Sequence, residues 1–203
     1  MGQLGKTNSE KNKGIRELMG LIRVAEGEKS ERTFQLSFSS EEPYERWYGI
    51  EILAHSDGCV NLERLSSIGV VLYNHHRDDV IAKIERVWIE ENRGYAEITF
   101  DMDDLSEKIY QKVKNGTIKG VSVGYVVNAW EEVSVNKMSA DGKFTGPCSI
   151  ARDWTPFEIS IVSVPADPTV GVGRQVEEEE KPFYLNLYEK QLWINQNRKG
   201  REK

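Results

Sequence analysis

Apolar residues along this chain recur mostly at every second position, and that period predicts a protein built mainly of strands. Thr33 to Ser39 places Phe34, Leu36 and Phe38 on one face, and Tyr48 to Ala54 does the same with Tyr48, Ile50 and Ile52. Val70 to Tyr73 is a short apolar run. Val80 to Ile89 and Tyr95 to Phe100 predict a hairpin around Glu91-Asn92-Arg93-Gly94. Further on, Val121, Val123 and Tyr125 alternate with Ser122, Gly124 and Val126. Phe157 to Val164 is the last strong strand, stopped by Pro165-Ala166-Asp167-Pro168. A helical period shows in Leu105, Ile109 and Val113, opened by Asp104 with Glu107 as a capping box and closed at Gly116. Ile15, Leu18, Met19 and Ile22 predict a short amphipathic helix within Ile15 to Val24, and Leu62 to Ile68 a helical turn. Asn136 to Pro147, which holds Asp141-Gly142 and Gly146-Pro147, predicts an exposed loop.

Many strands around one well-marked helix predict a mainly β protein with helices (α+β): a closed or nearly closed β-barrel surrounded by a few helices. Three segments are expected. Residues 1–14, rich in Lys, Asn, Gly and Ser, form a disordered N-terminal tail; residues 15–173 form the domain; residues 174–203 form an acidic linker and a C-terminal amphipathic helix. In that last segment Glu177 to Glu180 is the acidic run and Phe183 to Ile194 the helix, which reads as a tethered element for docking on a partner.

Composition narrows the function. The 203 residues suffice for one real core, and the net charge of −6 argues against a nucleic-acid partner. No apolar run approaches the ~18 residues of a membrane span, and Met1 to Lys13 lacks an apolar core for secretion. Cys59 and Cys148 match no zinc spacing and read as reduced thiols of a cytoplasmic protein, a single disulfide being the alternative.

Candidate chemistry begins at Ser122. A hydroxyl beside a glycine suits a nucleophile, because an acyl group must approach Oγ closely. The plainer alternative is a buried strand serine bonded to neighbouring backbone. A general base has three candidates, His55, His75 and His76. The Asn74-His75-His76 cluster ends a strand, where side chains can lean into a cleft. Adjacent residues on an extended chain point to opposite faces, which argues against chelation by His75 and His76 together, and Asp78 and Asp79 read as a solvated turn. Neither metal nor cofactor is expected. Glu158 sits in an otherwise apolar strand, where a carboxylate is costly without a partner. It either orients a histidine or points to water from an edge strand. Ser160, on the Glu158 face, and Ser163 are rival hydroxyls, but neither has a glycine two positions on.

These motifs stand in a recognisable order: Leu72-Tyr73-Asn74-His75, Val80-Ile81-Ala82-Lys83-Ile84, Val113 to Tyr125 with its Gly120-Val121-Ser122-Val123-Gly124-Tyr125, Phe157-Glu158-Ile159-Ser160 and Pro165-Ala166-Asp167-Pro168. With a looser match at Gly49 to Leu53, the set resembles the prohead (capsid maturation) serine protease family of tailed bacteriophages over about residues 30–172. That family is distantly similar to the herpesvirus assemblins. The resemblance implies a herpesvirus-protease-like fold and a serine endopeptidase with Ser122 as nucleophile, His75 as base and Glu158 as the acidic third member. It implies major capsid protein and scaffold segments as substrates, and self-cleavage. The setting would be an assembling prohead in the host bacterial cytoplasm, of a phage or integrated prophage. Assemblins pair serine and histidine with a second histidine, but no histidine follows His76 here. His76 stands where relatives often carry an acidic or polar residue, so the choice between His75 and His76 stays open. Oligomeric state is open too. Two other readings compete: a non-catalytic scaffold or assembly module of the same barrel, with Ser122 and His75 far apart, and a hydrolase of small esters or amides with a deep enclosed pocket.

Overall fold

The computed structural model describes residues 11–18, 22–24 and 31–164, all within the first of two compact units, Met1–Val172. The acidic linker and C-terminal helix expected over 174–203 lie outside the described residues. So do residues 1–10 of the expected N-terminal tail and the Pro165–Pro168 stop. In chain order the elements are β1 (Lys13–Leu18), β2 (Ile22–Val24), β3 (Thr33–Ser40), β4 (Tyr44–Arg46), β5 (Gly49–Leu53), α1 (Glu63–Ile68), β6 (Val70–Tyr73), β7 (His76–Glu90), β8 (Arg93–Phe100), α2 (Asp104–Lys114), β9 (Gly120–Val133) and β10 (Cys148–Val162). Among the described residues, no helix is long and apolar enough to cross a membrane.

One sheet takes every strand among the described residues, in the order β1-β9-β10-β6-β7-β8-β3-β2, with β5 also on β10 and β4 on β5. β10 is its hub. Antiparallel β9 runs along one edge, while parallel β5 and then parallel β6 share the other, with Ser149 opposite Glu51 and Ile159 opposite Val71. Bulges in β3, β7 and β10 add to the natural right-handed twist, and the sheet curls until β3 packs near β9 and β1. The expectation of a mainly β protein with few helices holds, but no ladder joins the two end strands among the described residues. The sheet is a curled half-barrel rather than a closed barrel.

The apolar faces that alternation marked line the inside of the curl. Phe34, Leu36, Phe38, Ile98, Val121, Val123 and Ile159 are all buried there. α2 closes the core with Ile109, Tyr110 and Val113, and Tyr110 packs edge-on against Phe34 at 6.0 Å. A smaller cluster gathers Ile52, Ala54, Val133 and Ile150 around Cys59 and Cys148, both free thiols.

Four local expectations change. Among the described residues of the expected helix, 15–18 and 22–24 are strand instead: β1 pairs with β9 and β2 with β3. A ten-residue amphipathic segment gains little as an isolated helix, and open strand edges offer it a full set of backbone partners. The β7–β8 turn is only Glu91 and Asn92, at φ 48° and 58°, as a tight two-residue hairpin requires. Gly94 instead lies inside β8, where a Cβ would come within 2.4 Å of Ser39 Oγ. The α2 cap is Asp103, not Asp104, because its carboxylate accepts the Leu105 and Ser106 N–H groups at 3.1 and 3.0 Å. β10 begins at Cys148, far ahead of Phe157.

Candidate active site

The ladder between β9 and β10 sets Ser122 opposite Ser160 and Gly124 opposite Glu158, so the polar positions of two apolar strands share one face. The third component comes from the β6–β7 turn. Asn74 and His75 both adopt left-handed backbone, φ 50° and 63°, with Tyr73 opposite His76. Asparagine tolerates that region well; histidine less so, at about 1–3 kcal/mol. β10 holds the turn in place. Asn74 N–H donates to the Ile161 carbonyl (3.0 Å), Ser163 N–H to Asn74 Oδ1 (3.0 Å) and His75 N–H to Ser160 Oγ (3.2 Å).

This anchoring carries the His75 ring between two partners. Nε2 lies 2.7 Å from Ser122 Oγ and Nδ1 lies 2.7 Å from Glu158 Oε1. An ionised Glu158 requires Nδ1 to carry the hydrogen, which leaves the Nε2 lone pair facing the serine hydroxyl. Ser160, expected as a rival nucleophile, donates its hydroxyl to Glu158 Oε2 at 2.8 Å. It braces the carboxylate while accepting the His75 N–H. This role was readable in part, since Ser160 shares the Glu158 face.

Of the other histidines, neither reaches Ser122. His76 is exposed and pairs with Asp79 at 3.4 Å. Its side chain does diverge from that of His75, but through a tight turn rather than through alternation on an extended chain. His55 is buried: Nδ1–H donates to the Leu53 carbonyl (2.8 Å) and Nε2 accepts from Ser39 Oγ (2.7 Å). The Ser39–His55 contact is as short as the one at Ser122, but a backbone carbonyl replaces the carboxylate.

Burial pushes His55 from its ordinary value near 6.5 down to about 3. The folded protein therefore keeps it neutral while the unfolded chain protonates it. Its stabilising contribution is complete above pH 6.5 and is lost as pH falls toward 3. Denaturant melts between pH 7 and 4 should show a decline of a few kcal/mol, at about 1.4 kcal/mol per pKa unit. That decline should be clearly shallower in His55→Gln.

The register gives Gly124 a role beside Glu158. A Cβ there would lie 2.5 Å from Glu158 Oε1 and 2.8 Å from the Phe157 ring. Its bare backbone makes room for the carboxylate. Gly124→Ala should displace Glu158, and if the Ser122–His75–Glu158 arrangement is catalytic it should lower kcat by about 10²-fold, the usual penalty for ~1 Å of misplacement. Overpacking should remove about 1–3 kcal/mol of stability. Turnover measured beside a thermal melt checks both.

His75 and Glu158 open onto a groove of about 630 Å³, walled by Lys13 and Ile15 of β1, Trp47, Leu72 and Arg77. A second depression of about 410 Å³ adjoins it, sharing Lys13, Arg77 and Phe157. In the wall of the groove, Glu51 is buried and accepts the Tyr125 and Tyr48 hydroxyls, each at 2.5 Å, and an Arg46 N–H at 3.2 Å. Burial, reinforced by the Glu51 charge, raises both phenols well above their ordinary range. Ser122 itself has no exposed surface, and its hydroxyl also lies 3.0 Å from the Arg16 carbonyl oxygen. Arg16 is buried as well, with Nε and Nη1 unpartnered. Each such donor costs about 1–3 kcal/mol.

Compared with known families, residues 63–182 match the profile of the caudovirus prohead serine protease, a span that includes His75, Ser122 and Glu158. The chain belongs to that family. It is also 35% identical over 147 residues to a protein named major capsid protein from Halomonas phage phiHAP-1. The aligned region is 70% of this chain but only 23% of that relative. No solved structure matches.

Proposed function

We propose that this member of the caudovirus prohead serine protease family is an active endopeptidase, with Ser122 as nucleophile, His75 as base and Glu158 as the group that orients and supports the imidazole. The observation that carries the reading is the unbroken run of 2.7 Å contacts from Ser122 Oγ through the ring to Glu158 Oε1. In the first step Nε2 takes the hydroxyl proton as Oγ attacks a peptide carbonyl. Glu158 then stabilises the imidazolium across Nδ1–H, and Nε2 returns the proton to the departing amine. Water, activated by the same nitrogen, releases the acyl group. Neither a metal nor a cofactor takes part in these steps. As residue 158 is an acid, the arrangement differs from that of the assemblins, whose barrel this half-barrel would share at a distance.

The substrates proposed are major capsid protein and scaffold segments, inside a prohead assembling in the host cytoplasm, with the protein's own chain as a further one. Family membership supports this, as does the capsid name of the Halomonas phage relative. Two adjoining depressions suit an extended polypeptide better than the enclosed pocket a small-ester hydrolase needs. A scaffold without activity calls for Ser122 and His75 to stand apart, and their contact counts against it. Co-expression with a major capsid protein of the same phage is the test. The wild type should cut it and Ser122→Ala should not; equal cutting by both would end the proposal.

A further inference from the structure

β10 closes one side of β9, and β1 closes the other. Six residues of β1 pair with β9, Glu17 standing opposite Ser122 and Ile15 opposite Gly124. A peptide carbonyl oxygen, that of Arg16, lies 3.0 Å from Ser122 Oγ, so β1 backbone crowds the hydroxyl that a substrate carbonyl has to approach. While the hydroxyl donates to that oxygen, its proton points away from His75 Nε2, 2.7 Å off, and attack cannot start. β1 also walls the groove that holds His75 and Glu158.

We propose that the β9 edge beside Ser122 is the substrate-binding edge, and that β1 is a built-in occupant displaced by an extended peptide that adds as an antiparallel strand. The inference rests on the reading of Ser122 as nucleophile and goes beyond it, since it names how substrate reaches a fully buried hydroxyl. Strand addition to an exposed edge is a general mode of peptide recognition, driven by backbone hydrogen bonds. β1 is suited to give way. It is short, it forms the end of the sheet, and its Arg16 guanidinium is buried with Nε and Nη1 unpartnered. One contact makes β1 tunable: a Cβ on Gly14 would come within 2.4 Å of the buried Tyr125 ring and hydroxyl.

A reversible staple tests it in the full chain. Val127 N–H donates to the Asn12 carbonyl at 2.8 Å, which makes the next pair, Lys13 and Val126, the closer non-hydrogen-bonded one. Opposed cysteines there are in disulfide range. The readout is the rate at which a small fluorophosphonate phosphonylates Ser122: an Oγ–P bond forms, fluoride leaves, and His75 takes the proton. In the Lys13→Cys/Val126→Cys protein the oxidised form should react at least tenfold more slowly than the reduced form, and reductant should restore the rate. Gly14→Val, which forces β1 away from Tyr125, should react several-fold faster than wild type. Equal rates in the oxidised and reduced forms overturn the inference and leave the nucleophile standing. A folded but slower Gly14→Val overturns it too, by making β1 a needed part of the site. Failure of every form to react removes the nucleophile and the inference together.

Discussion

Ser122→Ala should lose peptide cleavage by roughly a million-fold, the scale seen when the nucleophile of a serine–histidine–acid enzyme is removed. The fold should survive. The hydroxyl is fully buried, so the loss is not free: the Arg16 carbonyl and His75 Nε2 each give up a partner. One lost hydrogen bond with a partner left unsatisfied is worth about 1–3 kcal/mol, a shift of several degrees in a melt but well short of unfolding. Cleavage is read on the capsid gene product and stability by thermal melt on the same preparation. Survival of cleavage would turn attention to Ser160, which lies 3.3 Å from Nδ1 on the carboxylate side of the ring. That outcome would reverse the roles of the two ring nitrogens.

What could be read from the sequence was whatever a local period encodes. β3, β5 and the β7–β8 hairpin announce themselves because alternate residues face a core, β6 because it is a short apolar run, and α2 because Leu105, Ile109 and Val113 share a stripe. The polar members of apolar strands, Ser122 and Glu158, stood out for the same reason. What stayed hidden depends on partners far along the chain. Ile15, Leu18, Met19 and Ile22 happen to fit a helical spacing, but the unpaired edge of β9 decides that Lys13–Leu18 becomes a strand. The register that sets Glu158 opposite Gly124 is a property of two strands together, so the reason for that glycine could not be read from β9 alone. The curl has the same origin. Bulges and twist accumulate over the whole sheet and stop short of closure, a quantity no single segment specifies.

His75→Ala should match Ser122→Ala in severity, because nucleophile and base act as one unit and removing either removes the same chemistry. His76→Ala should stay within roughly twofold of wild type, since its side chain faces solvent and meets only Asp79. A dead His76→Ala beside an active His75→Ala would exchange the two assignments. Glu158→Gln should fall between, near a 10⁴-fold loss, as when a triad acid becomes its amide. The expected cause is specific to this site. Ser160 Oγ accepts the His75 N–H and donates to Glu158 Oε2, so it should claim the amide oxygen of a glutamine. The NH₂ group then faces His75 Nδ1, which must accept, and the ring hydrogen moves to Nε2, where it blocks proton abstraction from Ser122. On the proposed catalytic reading, removing that constraint in Ser160→Ala/Glu158→Gln should let the amide turn over and recover about tenfold of kcat relative to Glu158→Gln alone, although Ser160→Ala by itself should slow cleavage. Simple additivity of the two losses would mean that Glu158 acts by its charge alone, not by setting the tautomer.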